Sequence, residues 1–172
     1  MLARSQVGIR EKGGHNRGPE VERYLRSVGL GPGFSWCAAF VYWCFAQSAK
    51  QCKVRNPCPR TGHALTLFTH APAFALIRLS DPDYQERIRP GCIFVQDHDW
   101  TSSEPFAAHR GHCGIIEGVD FSIGEYSSID GNTDPTGGRD GDGVYPRNRP
   151  LVDSKLVGFI DLGAPKPPAL VA

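Results

Sequence analysis

The chain has 172 residues, 40% of them hydrophobic, which suits one domain with a core of its own. With 19 basic and 18 acidic residues its net charge is +1, so composition makes no case for a nucleic acid or an anionic membrane as partner. No apolar run reaches the ~18 residues that a membrane span needs, and residues 1–7 lack the apolar segment of a signal peptide.

The 20 Gly and 14 Pro favour many turns and short elements, a mixed fold over a helical bundle. In chain order, a short helical turn is expected around residues 3–8. Pro19 suits a first helical position, Glu20 and Glu22 suit the first turn, and Val21, Tyr24, Leu25 and Val28 recur at helical spacing. A helix over 19–28 follows, with Gly29 as its stop. Gly31, Pro32 and Gly33 then break the chain. From Cys37 the residues are apolar and helix-compatible, so a second helix is expected over 37–49. Thr61 is expected to cap a third over 62–70, and Pro72 to end it. After the turn Asp81-Pro82-Asp83, the apolar run 92–95 reads as a strand. So do 112–119, the alternating 125–130, 144–147 and 156–162. The Gly- and Asp-rich stretch 132–143 is expected as loop. Helices come first and an antiparallel meander follows. The expected fold is α+β, with N-terminal helices packed on a small antiparallel sheet. It forms one domain over 1–163, followed by an extended Pro-rich tail over 164–172.

The cysteines are Cys37, Cys44, Cys52, Cys58, Cys92 and Cys113. No CxxC pair is present, so a structural zinc site is not expected. Cys52 and Cys58 bracket a short basic loop and could pair in an oxidising compartment. Cys44 reads as core. Cys37 falls at the first turn of its helix, where unpaired backbone N–H groups and the positive dipole end favour a thiolate. It reads as either a small buried apolar residue or a nucleophile.

A nucleophilic thiol needs a base, and the base an orienting group. Of six histidines, His15, His63, His98 and His109 lie in polar or turn-like stretches and are expected to face solvent. His70 suits a helix end. His112 follows Gly111 and opens an apolar strand. The next strand closes on Asp130-Gly131-Asn132, and an antiparallel return can bring Asp130 beside His112. Asn132 is two residues further on the same face. Taken alone, the last three residues are an ordinary turn. Trp36 and Trp100 could wall a substrate groove, or simply pack; Trp43 reads as core. Asp140 and Asp142 could hold a cation but lack the ligand set of an EF-hand. Arg147 and Arg149 could meet substrate carboxylates or be plain surface charge.

Three segments in this order, Trp36 to Val41, Gly111 to Ile116 and Ile129 to Thr133, resemble the CHAP branch of the papain-like NlpC superfamily of bacterial and phage cell-wall hydrolases. Glu11, Asn16-Arg17-Gly18, Val21, Tyr24-Leu25 and Gly29 are similar to the start of such domains. The run Arg89-Pro90-Gly91-Cys92-Ile93-Phe94 is similar to the segment before their histidine. The resemblance spans about residues 5–160. It implies a cysteine peptidase or amidase, endolysin-like, that cuts amide bonds of peptidoglycan peptide stems. Some CHAP domains bind calcium near the nucleophile, but no matching Asp cluster stands there in this sequence, so no cofactor or metal is expected. Cys37 would be the nucleophile, His112 the base, and Asp130 or Asn132 the orienting group. Such an enzyme would be a monomer acting at the cell wall, in the periplasm or outside the cell. Position 92, often acidic in the family, is Cys here. Position 113, often Val, is also Cys. Neither departure is expected to touch the chemistry. The same residues could instead transfer an acyl group to an amine or alcohol, or the scaffold could be a catalytically silent wall-binding module.

Overall fold

The computed structural model describes residues 1–101, 103, 110–136 and 141–163. The tail over 164–172, His109 and Asp140 lie outside them. A 3-10 turn, Arg4–Gln6, opens the chain. Helix α1, Pro19–Ser27, starts on its proline and buries Val21, Tyr24 and Leu25, as its periodicity predicts. Helix α2, Cys37–Gln51, is longer than expected by two residues and buries most of its first eight. Helix α3, Ala64–His70, starts later than predicted. The Thr61 hydroxyl accepts the backbone N–H of His63 at 3.1 Å, which makes a turn ahead of the helix rather than a cap on it. Two short elements carry no pattern long enough to read in advance: strand β1, Leu76–Ile77, and helix α4, Tyr84–Arg87.

The other strands are β2 (Ile93–Asp97), β3 (Gly111–Asp120), β4 (Glu125–Thr133), β5 (Gly143–Pro150) and β6 (Leu156–Ile160). They form one six-stranded sheet in the order β1-β6-β2-β3-β4-β5, with every neighbour antiparallel. The fold is α+β. Strands β2 to β5 are the expected meander. The last strand departs from it, crossing back to pair with β2 on the sheet's far side.

Side chains alternate across the sheet. Ile93, Val95, Cys113, Ile115 and Ile129 face the core shared with the helices. α2 and α3 pack on this face, and α1 packs on α2. Tyr24 of α1 lies 5.7 Å from the Trp36 ring, 5.4 Å from Phe40 and 5.0 Å from Trp43. Such aromatic pairs contribute about 0.5–1.5 kcal/mol each beyond burial alone, which fixes α1 against the start of α2. The opposite face is also covered. Phe94, Ile116, Tyr126 and Phe159 form a second cluster with Ile88 and Leu151, and Tyr84 of α4 packs on it. This explains why all of β2 is buried, where a one-sided sheet would show alternation. Among the described residues no helix is long and apolar enough to cross a membrane.

Candidate active site

Cys37 is the first residue of α2, and among the described residues no side chain caps that helix. Its first N–H groups therefore point out of the helix without an intrahelical acceptor. The approach to Cys37 is clamped from upstream. Glu11 accepts the Trp36 indole N–H at 2.9 Å through one carboxylate oxygen and the Asn16 backbone N–H at 2.8 Å through the other. Asn16 adopts a positive φ of 55° and accepts the Gly33 N–H at 2.9 Å on its carbonyl. Trp36 is wholly buried by this arrangement. The expectation that it lines a groove is therefore corrected: its ring packs on Tyr24 and Phe40 and sets the backbone position of the next residue. Trp100 is 55% exposed, just beyond β2.

His112 and Asp130 come from neighbouring strands. The ladder between β3 and β4 begins at Ile115 opposite Ile129. Asp130 thus stands across from Gly114 and diagonally from His112, on one face of the sheet. A side chain at 114 would collide with the Asp130 carboxylate, so glycine is required there. Gly131 is required in turn by the first turn of α2, since a Cβ there would lie 2.8 Å from Phe40 and from the Trp36 ring. His112 Nε2 lies 2.9 Å from Asp130 Oδ2. An ionised carboxylate can only accept, so Nε2 carries the proton. The other ring nitrogen, Nδ1, is buried without a hydrogen-bond partner. Cys37 perturbs both His112 and Cys113. Consecutive strand residues leave on opposite faces, so the sulfur sits at the open flank of β3, where the ladder to β4 has not yet begun. With Nε2 committed to Asp130, Nδ1 is the nitrogen available to the thiol.

Cys37, His112 and Asp130 are 5%, 3% and 0% exposed, so their charges act in a medium of low dielectric. Cys113, its neighbour from β3, has the largest part in holding the proton affinity of Cys37 well below the usual thiol range. Burial opposes this, and His112 adds to the lowering. Cys113 moves the other way, raised by burial and by Cys37. Of these two neighbouring thiols, ionisation is favoured at the one at the helix start beside the imidazole. For His112, burial favours the neutral ring, but Asp130 and Cys37 outweigh it and push the ring up to about 9. Asp130 is driven upward by burial, yet His112 and Arg149 hold it below the usual carboxylate range. The site thus favours a thiolate–imidazolium pair backed by a carboxylate.

Three features of the site were not anticipated. Cys113, expected to stand apart from the chemistry, is the largest influence lowering the proton affinity of Cys37. Arg149, read as either a contact for substrate carboxylates or plain surface charge, donates from Nη2 to Asp130 Oδ2 and has a side chain only 13% exposed. Its position in the alternating run 143–150, on the same face as Asp130, was the available signal. Ser128 Oγ donates to Asp130 Oδ1 at 2.7 Å, again from the same face.

Asp130, not Asn132, bonds the His112 ring. Asn132 is buried with φ 59°, in an irregular part of the β4–β5 pairing. His98 is half-buried rather than solvent-facing, its ring 6.5 Å from that of His112. Of the other described histidines, His15 is exposed, His63 flanks α3 and His70 ends it. All six cysteines are free, so Cys52 and Cys58 form no local bridge. Asp142 is engaged by the Arg10 guanidinium and the Tyr145 hydroxyl, and no group of ligands fit for a metal ion occurs among the described residues. Comparison with family models, curated proteins and solved structures found no match for this chain.

Proposed function

We propose that this chain is a cysteine hydrolase that cleaves amide bonds in the peptide part of bacterial peptidoglycan, acting at the cell wall. The single observation that carries the thiol chemistry is Cys37 at the uncapped start of α2, beside a histidine that Asp130 orients. The wall substrate rests on the resemblance to CHAP domains.

The Cys37 thiolate attacks the amide carbonyl. The N–H groups of the first turn of α2 face the oxyanion that forms, a contribution of about 3–4 kcal/mol in acyl-transfer sites. His112, protonated at both nitrogens, gives its Nδ1 proton to the leaving amine as the C–N bond breaks. A thioester on Cys37 and a neutral imidazole remain. The acylated sulfur no longer carries the charge that raised the ring's proton affinity, so His112 can now act as a base. It takes a proton from water, hydroxide adds to the thioester, and the acid departs as the thiolate–imidazolium pair returns. The sum is amide plus water giving carboxylic acid and amine.

Mass spectrometry of fragments released from purified peptidoglycan tests this. Wild-type protein should release new peptide termini and Cys37→Ala none. Equal release by both, or none by either, would overturn the proposal.

A further inference from the structure

Asp130 carries more than the orienting bond to His112. It is wholly buried, and Arg149 shares its Oδ2 with the ring while Ser128 donates to Oδ1. Arg149 is itself tightly held. Its guanidinium lies 4.8 Å over the Phe94 ring and donates from Nη1 to Gln96 Oε1 at 3.3 Å. Gln96 in turn donates to Asp153 at 2.6 Å. The guanidinium of a long, flexible side chain is thus held on one face and at both terminal nitrogens, with its charge delivered to one carboxylate oxygen.

The charges of the site explain why a second cation is needed. Before attack the buried groups are thiolate and imidazolium, carboxylate and guanidinium, and they balance. In the thioester both Cys37 and His112 are neutral, and Asp130 and Arg149 still balance. Without Arg149, a neutral His112 would leave Asp130 as an unpaired buried anion, which is strongly unfavourable. The ring would then hold its proton and fail as a base.

We propose that Arg149 is a positioning residue that keeps Asp130 neutralised whatever the protonation state of His112, so that the ring can pass its proton on and take another without stranding a buried carboxylate. The role rests on the thiol chemistry proposed above, and its test needs no substrate. The charged and titratable groups around His112 are Cys37 from α2, Cys113 from β3, Asp130 and Tyr126 from β4, Arg149 from β5, and His98 beyond β2, with Asp153 behind Gln96. Of these, Arg149 is the cation that bonds Asp130 independently of the ring.

The experiment is an NMR titration of the His112 imidazole in a histidine-labelled Cys37→Ala chain, where the thiolate is removed as it is in the thioester. Adding Arg149→Met leaves Asp130 to the ring alone and should raise the titration midpoint by about one to three units. Adding Arg149→Lys keeps a cation and should leave it within about half a unit. Should Arg149→Met not fold, Arg149→Gln, which keeps a donor without charge, is expected to give the same upward shift. If a folded, uncharged variant titrates with the Arg149→Lys chain, Arg149 is only packing on Phe94 and the proposal fails. A wall substrate that proves wrong would leave the titration unaffected.

Discussion

The start and the middle of α2 carry cysteines of opposite character. Cys37 and Cys44 are seven residues apart, both buried, and both part of the same core. Yet the proton affinity of Cys37 is lowered well below that of an ordinary thiol, while burial pushes that of Cys44 upward. Cys58, also buried away from the site, is pushed up to about 12. Burial therefore works against ionisation at all three positions. What separates Cys37 is its neighbours: a second thiol, an imidazole backed by a carboxylate, and free backbone N–H groups at the helix start. The lowered proton affinity of Cys37 comes from the end of the helix and the sheet flank beside it, not from the helix itself.

The contrast breaks most completely in Cys37→Ala. Release of peptides from peptidoglycan should fall on the order of a thousandfold or more, while Cys44→Ala stays near wild type. His112→Ala comes next, with an expected loss of about 10²–10⁴-fold in the same assay. Iodoacetamide supplies a reading free of substrate. Against burial, Asp130 and Cys37 push the His112 ring up to about 9, so between pH 6 and 8 a charged ring is expected to support the Cys37 thiolate. Cys37 should therefore react far faster than the other five cysteines at pH 6, and His112→Ala should abolish that preference. As pH rises through about 9 the wild-type ring loses its proton, and the two proteins should converge. Comparable rates at pH 6 for Cys37 and Cys44 would remove the basis of the contrast.

Replacing Cys113 sharpens the comparison from the other side. Cys113→Val keeps an apolar side chain of similar size and removes the thiol that neighbours Cys37. The alkylation rate of Cys37 at pH 6 should drop about two- to tenfold, the range of one ordinary hydrogen bond. The smallest effect belongs to Cys44→Ala. It should cost about 1 kcal/mol in a denaturant melt, because a small buried group is lost, with the alkylation profile of Cys37 unchanged.

Much of the framework could be read along the chain. The break at Gly31-Pro32-Gly33 and the apolar run after it located the start of α2 at Cys37. An apolar run located β3 and alternation located β4, and placing His112 early and Asp130 late predicted their approach, which the 2.9 Å contact realises. Local pattern failed wherever an element was short or a partner distant. β1 and α4 span two and four residues, below the length at which any period can be counted. Trp36 beside a candidate nucleophile suggested a groove wall. Only its bond to Glu11, 25 positions away, shows why it is buried.

Periodicity and chain breaks alone place helices before an antiparallel sheet, a cysteine at the opening of the second helix, and a histidine and an aspartate on strands able to meet. Both are local properties. Only the tertiary structure decided which side chains share the site. It set Arg149 on the carboxylate, brought Cys113 to Cys37, and chose Asp130 over Asn132 for the ring. The physical reason is register. Alternation says which face a strand residue occupies, but its neighbour across the ladder depends on where the strands align and where the ladder stops. Here it begins at Ile115 opposite Ile129, and the open flank it leaves is where the start of α2 meets the sheet.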